Sequence, residues 1–230
     1  MIFDPLYLVL MAPGLVLSLW ASYKTRSAFK KYSRVRTASG ITGREAAARM
    51  LAMNGIRDVE IKAVRGQLTD HYNPLDKSLA LSQGVYDQPS IAAVGVACHE
   101  AGHALQHATG YAPLKLRSLL VKPAGFGSQI GFYVMFLGLA LQSTGMFQIG
   151  AILFAAFVAF TLVTLPVEFD ASNRAKRLAV EQGIVSPQER EGVDRVLNAA
   201  ALTYVAAAAS SILTLLYFLM RAGVLGGQRD

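Results

Sequence analysis

The chain has 230 residues, 53% of them apolar and 16% charged, with a net charge of +7. Four stretches, residues 5–23, 124–144, 145–167 and 203–220, contain no Asp, Glu, Lys or Arg, and the remainder carries charge at about the 25% of ordinary soluble domains. This two-part composition excludes a uniform soluble globule, a disordered chain and a bare membrane bundle, and leaves a membrane protein with a substantial water-facing part.

Each charge-free stretch is close to the ~20 residues that a helix needs to cross a ~30 Å hydrocarbon core. The expected architecture is a mainly α membrane protein with four transmembrane helices and a cytoplasmic α+β part. The first span, 5–23, carries Pro13-Gly14, which suggests a kink. Asp4 stands where a signal peptide would place basic residues, and no small-x-small cleavage site follows, so this stretch reads as a retained span.

Residues 24–123 form the first water-facing region. Thr42 and Glu45 make a capping box that opens a helix ending at Asn54-Gly55. Short β-like runs follow at 59–64, 67–72 and 78–82, separated by Arg65-Gly66 and Asn73-Pro74-Leu75-Asp76. An apolar-rich helical pattern then covers 89–109 and stops at Gly110.

The second span, 124–144, is the weakest, because Ser128, Gln129 and several glycines dilute its first half, a composition suited to packing on other helices. The third, 145–167, is the most apolar. The second water-facing region, 168–202, reads as two helices. One ends near Gly183. The other is opened by Ser186-Pro187-Gln188-Glu189, a cap, a Pro at the first helical position and a capping-box Glu, and runs on into the fourth span, 203–220.

Basic residues set the orientation. Lys24, Arg26, Lys30, Lys31, Arg34 and Arg36 follow the first span, Lys115, Arg117 and Lys122 precede the second, and Arg174, Lys176 and Arg177 follow the third. The positive-inside rule makes these flanks cytoplasmic and both termini external, in the multi-pass topology of a cell (inner or plasma) membrane protein. Anionic lipid headgroups account for the net charge, so the lipid bilayer is the expected partner. No basic motif interleaved with aromatics accompanies the charge, so nucleic acid is not. The single Cys98 excludes an intramolecular disulfide and suits packing in a reducing compartment. Nothing in the sequence sets an oligomeric state.

The 89–109 helix contains His99-Glu100-Ala101-Gly102-His103, an H-E-x-x-H pattern. Four residues at 100° each bring His103 within about 40° of His99 and about 6 Å along the axis, so both imidazoles can meet one metal ion. Glu100 projects beside that pair, where a carboxylate can take a proton from a metal-bound water. Zn²⁺ suits neutral imidazole with carboxylate oxygen, and hydrolysis needs no redox change.

A catalytic zinc site needs a third protein ligand and an open position. His107 continues the i, i+4 series but lies roughly 12 Å of helix from His99, too far to share one ion. It reads as an outer or surface residue. Glu168 is the better candidate. It is the first charged residue after the third span, and the hairpin of spans two and three returns the chain to the membrane face that it left. The bland alternative for Glu168 is an interfacial carboxylate paired with Arg174 or Lys176. The runs 67–72 and 78–82 offer either an edge strand for a peptide substrate or a hairpin that only packs on the metal helix.

Leu68-Thr69-Asp70-His71-Tyr72-Asn73-Pro74, Leu81-Ser82, Val85-Tyr86, the segment 96–106 around the metal motif, and Leu165-Pro166-Val167-Glu168-Phe169-Asp170-Ala171-Ser172 together resemble the bacterial YugP-type membrane zinc metallopeptidases over nearly the whole chain. More distantly the chain is similar to membrane gluzincins of the HtpX and CAAX-prenyl-protease type. The resemblance implies a zincin-like catalytic part, zinc held by His99, His103 and Glu168, Glu100 as general base, and proteolysis of membrane proteins at the cytoplasmic face. One departure stands out. Such gluzincins often carry an Asp four residues after the ligand Glu, to orient a ligand imidazole. Here Ser172 occupies that position and the acid is Asp170, which in a helix points about 160° away from Glu168. Ser172 or Asp194 could take over the role. His71, Tyr72, Asn73 and Arg174 are all able to stabilise an oxyanion.

The expected activity is that of a zinc-dependent metalloendopeptidase. It would cut membrane or unfolded proteins with a zinc-activated water and Glu100 as base. The rival readings are a non-enzymatic membrane adaptor that keeps zinc for structure, and a site-two-type intramembrane protease. The latter would need the motif inside a span, whereas only the short apolar run 91–98 precedes His99. A metal transporter is disfavoured because no span has an ionisable residue at its centre.

Overall fold

A computed structural model describes residues 4–223. The chain is mainly helical with one small three-stranded sheet. It divides into two units. Met1–Trp20, Lys115–Pro166 and Thr203–Asp230 form an apolar unit, and Ala21–Leu114 and Val167–Leu202 form an α+β unit.

In the α+β unit, helix α2 (Gly43–Met53) begins at the expected capping box: the Glu45 amide donates to Thr42 Oγ1 at 3.3 Å, and Glu45 Oε2 accepts from the Thr42 amide at 2.9 Å. Strands β1 (Glu60–Val64), β2 (His71–Asn73) and β3 (Ser78–Ser82) follow, in sheet order β1-β3-β2. β3 runs parallel to β1 with Glu60 opposite Ser78, and antiparallel to β2 with His71 opposite Ala80. Of the two runs expected to offer an edge, 78–82 is therefore the central strand, buried along its whole length, and the edges are β1 and β2.

The expected strand at 67–72 is also shorter. Gly66 and Leu68 have positive φ, and the Asp70 carboxylate accepts from the Ser82 amide at 2.7 Å and hydroxyl at 3.0 Å. A side chain thus meets the end of β3 where a longer β2 would have paired with it.

A short helix α3 (Gln83–Tyr86) leads to α4 (Ile91–Ala108), which Ser90 caps by accepting from the Ala93 amide at 3.2 Å. Apolar on most sides, α4 is the centre of this unit's core. Met50 and Leu51 of α2, Leu79 and Leu81 of β3, and Leu178 and Ala179 of helix α7 (Thr144–Glu181) share that core with Val94, Ala97 and Leu105. Helix α1 (Pro5–Tyr32) and helix α8 (Arg190–Arg221) pair within the unit as antiparallel neighbours. Thr25 Oγ1 donates to the Ala199 carbonyl at 2.9 Å, and Gly192 gives room to the Tyr32 ring. The Ser186/Glu189 capping box forms as expected, but it caps the turn that precedes α8.

In the apolar unit the stretch 124–144 is divided among α5 (Ala112–Phe126), a π-helical turn (Gly127–Gly131) and α6 (Phe132–Ala140). Pro123 removes an amide donor just before the π-turn, where the helical ladder changes its spacing. A Cβ at Gly127 would collide with the Leu153 carbonyl and one at Gly131 with the Phe154 amide, so this face is pressed backbone to backbone against α7. Small residues in such a seam are what helix packing in a bilayer favours. Among the described residues, three helices are long and apolar enough to cross a membrane: α1, α7 and α8.

Candidate metal centre

α4 carries His99, Glu100 and His103, and α7 carries Glu168 and Ser172. The helices meet at Gly102, where an added Cβ would lie 2.7 Å from the Ala171 carbonyl oxygen. The small residue inside the motif is what lets the two backbones touch. His99 lies one turn before Gly102 and His103 directly after it, and Glu168 lies one turn before Ala171, so the contact brings the candidate ligands of both helices together.

One donor atom from each of His99, His103 and Glu168 lies within 4.8 Å of the others. Glu168 Oε2 is 3.1 Å from His99 Nε2 and 3.5 Å from His103 Nε2. Four ligands arranged tetrahedrally at Zn–N and Zn–O distances of 2.0–2.1 Å stand about 3.4 Å apart, and the two carboxylate–imidazole separations are close to that spacing. The two imidazole rings sit edge to face, centroids 4.8 Å apart. Glu168 is only 2% exposed, so its carboxylate has been taken out of water in favour of these two imidazoles. Two imidazoles and one carboxylate are the donor set of catalytic zinc sites that keep a fourth position open.

The imidazoles are held from behind. Ser172 Oγ lies 3.1 Å from His99 Nδ1, so Ser172 takes the place of the Asp that the gluzincin pattern would put there. Gln106 holds His103. Its Oε1 is 3.0 Å from His103 Nδ1, and its Nε2 donates to the Val167 carbonyl and to Asp170 Oδ2, both at 2.8 Å. Both amide hydrogens are thus spent on acceptors. The oxygen must face the imidazole, Nδ1 must carry the proton, and the Nε2 lone pair is left to face the ligand cluster, where a metal ion could be held. Asp170 is fixed in turn by Arg174 Nε at 2.6 Å. Asp170 thus serves the site through Gln106. Sequence reasoning passed over Gln106, although its i+3 spacing from His103 on the same helix was a usable signal.

Replacing Gln106 with Leu removes the group that sets the His103 tautomer. Zinc affinity is expected to fall about 10- to 100-fold, the usual cost of losing such a partner, measured by competition with a chromogenic chelator.

Burial pushes the Glu100 carboxyl above the ordinary carboxylate range, offset only in part by His99 and His103. Burial disfavours the His103 cation, but the hydrogen bond and charge of Glu168 outweigh it and raise the pKa. Cys98 is fully buried, its thiol pushed up to about 12, as suits a packing residue.

The other named residues lie elsewhere. His107 Nδ1 is 2.8 Å from the Tyr72 hydroxyl, outside the ligand cluster. His71 is exposed, with Nδ1 beside the Thr69 carbonyl, and Asn73 accepts from the Leu75 amide. Asp194 pairs with Arg190 at 3.8 Å, which leaves Ser172 as the group at His99. Arg174 is engaged by Asp170 and Lys176 donates to Asn198, so both alternative partners of Glu168 are committed to other groups.

Comparison with known proteins gives a consistent picture. A family model described as "Putative neutral zinc metallopeptidase" matches residues 7–223. The Bacillus subtilis (strain 168) protein named "Putative membrane protease YugP" is 47% identical over 215 residues, which cover 94% of this chain and 96% of that protein. No solved structure matches the chain.

Proposed function

From its membership of the family described as "Putative neutral zinc metallopeptidase", we propose that the chain is an integral-membrane zinc metalloendopeptidase of the gluzincin type, acting on membrane or unfolded proteins. The observation that carries this reading is the convergence of His99, His103 and Glu168 from two helices, with the buried Glu100 next to His99 on α4.

Zinc held by His99, His103 and Glu168 would polarise the scissile carbonyl and acidify the attacking water. Glu100 takes the proton from that water and passes it to the leaving amine, and its raised pKa suits a group that both accepts and returns a proton. Ser172 and Gln106 keep the two imidazoles aimed. Strand β2 is a sheet edge whose Tyr72 touches His107 of α4, and it offers main-chain groups to an extended peptide.

The proposed topology has four crossings of the cell membrane. α1, α7 and α8 each supply one, and the π-interrupted segment α5–α6 supplies the other, with the basic flanks and the site on the cytoplasmic side. α4, which carries the motif, is not one of the helices long and apolar enough to cross, which favours this reading over an intramembrane protease.

The test is cleavage of an unfolded membrane-protein substrate by the purified full-length chain. Activity is expected to vanish with a zinc chelator and to return on addition of one equivalent of zinc. Bound zinc without cleavage of any unfolded substrate would favour the adaptor reading.

A further inference from the structure

We infer that the groove between α1 and α8 in the α+β unit is a binding site for the phosphodiester headgroup of an anionic phospholipid. A cavity of about 320 Å³ lies there, lined by Lys24, Lys31 and Arg195, with Glu191 the one carboxylate among the lining residues and Tyr23 and Tyr32 beside them. Arg195 also reaches Glu191, at 3.2 Å, so the wall keeps an excess of positive charge. The floor is fixed: Thr25 bonds to the Ala199 carbonyl, and Gly192 admits the Tyr32 ring, so the groove is a built feature of the helix pair.

The position of the groove along its helices selects the ligand. Tyr23 ends the first charge-free stretch and Lys24 follows it, while Ala199 stands just before the stretch that begins at Thr203. At 1.5 Å per residue, Lys31 and Arg195 each lie about 12 Å of helix beyond the apolar run of their own helix. The headgroup layer is about 5–8 Å thick, so Lys24, directly after the apolar run, lies within it, and the flexible stems of Lys31 and Arg195 reach back to its phosphates from the water side. Tyr23, at the end of the apolar run, suits the inner edge of the headgroup layer. Charge complementarity and depth together select an anionic lipid over a soluble anion or an acidic protein segment.

The inference rests on the membrane placement proposed above and is independent of the peptidase chemistry. Recovery in the membrane fraction tests placement, zinc content reports on the metal centre, and lipid retention tests the groove. The full-length protein in detergent is titrated with phosphatidylglycerol and bound lipid is read by native mass spectrometry. Saturable binding is expected, at least several-fold tighter than for phosphatidylcholine. The variant K24Q/K31Q/R195Q is expected to lose about tenfold or more in affinity. R49Q/R57Q/R65Q removes as many exposed cations away from the groove and is expected to bind as wild type. If the groove variant does not fold, Lys31→Gln and Arg195→Gln singly are expected to weaken binding several-fold and the charge-preserving K24R/K31R/R195K to retain it. Equal binding by wild type and groove variants would overturn the assignment, as would equal loss in the distant variant. Displacement of the lipid by inorganic phosphate or by a polyglutamate peptide at matched concentration would assign the groove to a free anion or a protein segment instead, and would also overturn it.

Discussion

Glu100→Gln is expected to leave zinc content unchanged and to lower hydrolysis of an unfolded membrane-protein substrate by about 10²- to 10⁴-fold, the range supplied by a positioned general base. The substitution is nearly isosteric, so packing around this buried side chain is kept. The amide has no lone pair basic enough to take the proton. His99, His103 and Glu168, whose donor atoms form the cluster without Glu100, still present their ligand set. Metal analysis beside single-turnover kinetics separates the two effects. A variant that retains both zinc and activity would remove Glu100 from the chemistry, and one that loses zinc would place it among the groups that hold the ion.

Glu168→Ala is expected to do the opposite and empty the site. Glu168 is the one carboxylate in the cluster, lies between the two imidazoles at 3.1 and 3.5 Å, and sits on the other helix. Without it two neutral nitrogens remain, both on α4, and the ion loses its anionic ligand. Zinc affinity should fall by more than the 10- to 100-fold that an outer partner is worth. Mass spectrometry on protein dialysed against buffered zinc checks this, and unchanged stoichiometry would withdraw Glu168 from the ligand set. Activity falls in both variants, but only Glu168→Ala loses the metal with it.

What could be read ahead of the structure divides by range. Local chemistry was legible: the Thr42/Glu45 and Ser186/Glu189 boxes, the stop of α4 before Gly110 and the i, i+4 pair of histidines each depend on residues a few positions apart. The short β2 was not, because its start is decided by Asp70 reaching across to Ser82, a contact without periodicity. The π-turn at Gly127–Gly131 was equally hidden, although the glycines pointed to a packed face. Glu168 could be proposed because a hairpin of two spans was expected to return the chain to its starting face. The i+3 spacing of Gln106 from His103 hinted at a contact, but the way its amide is oriented depends on the Val167 carbonyl and Asp170, which a different helix supplies.

The contact of Gly102 with Ala171 has a thermodynamic side. α4 and α7 are far apart in sequence, and an ion bound by both is a cross-link between them, made at the point where their backbones touch. Unlike a disulfide, which persists in the unfolded chain, such an ion binds only where both helices are in place, so it stabilises the folded state by mass action and with the logarithm of free metal. An ion present at a hundred times its dissociation constant adds about 2.7 kcal/mol to the folded state. With the proposed zinc in this cluster, the folded state of the α4–α7 pair would grow more stable as free zinc rises.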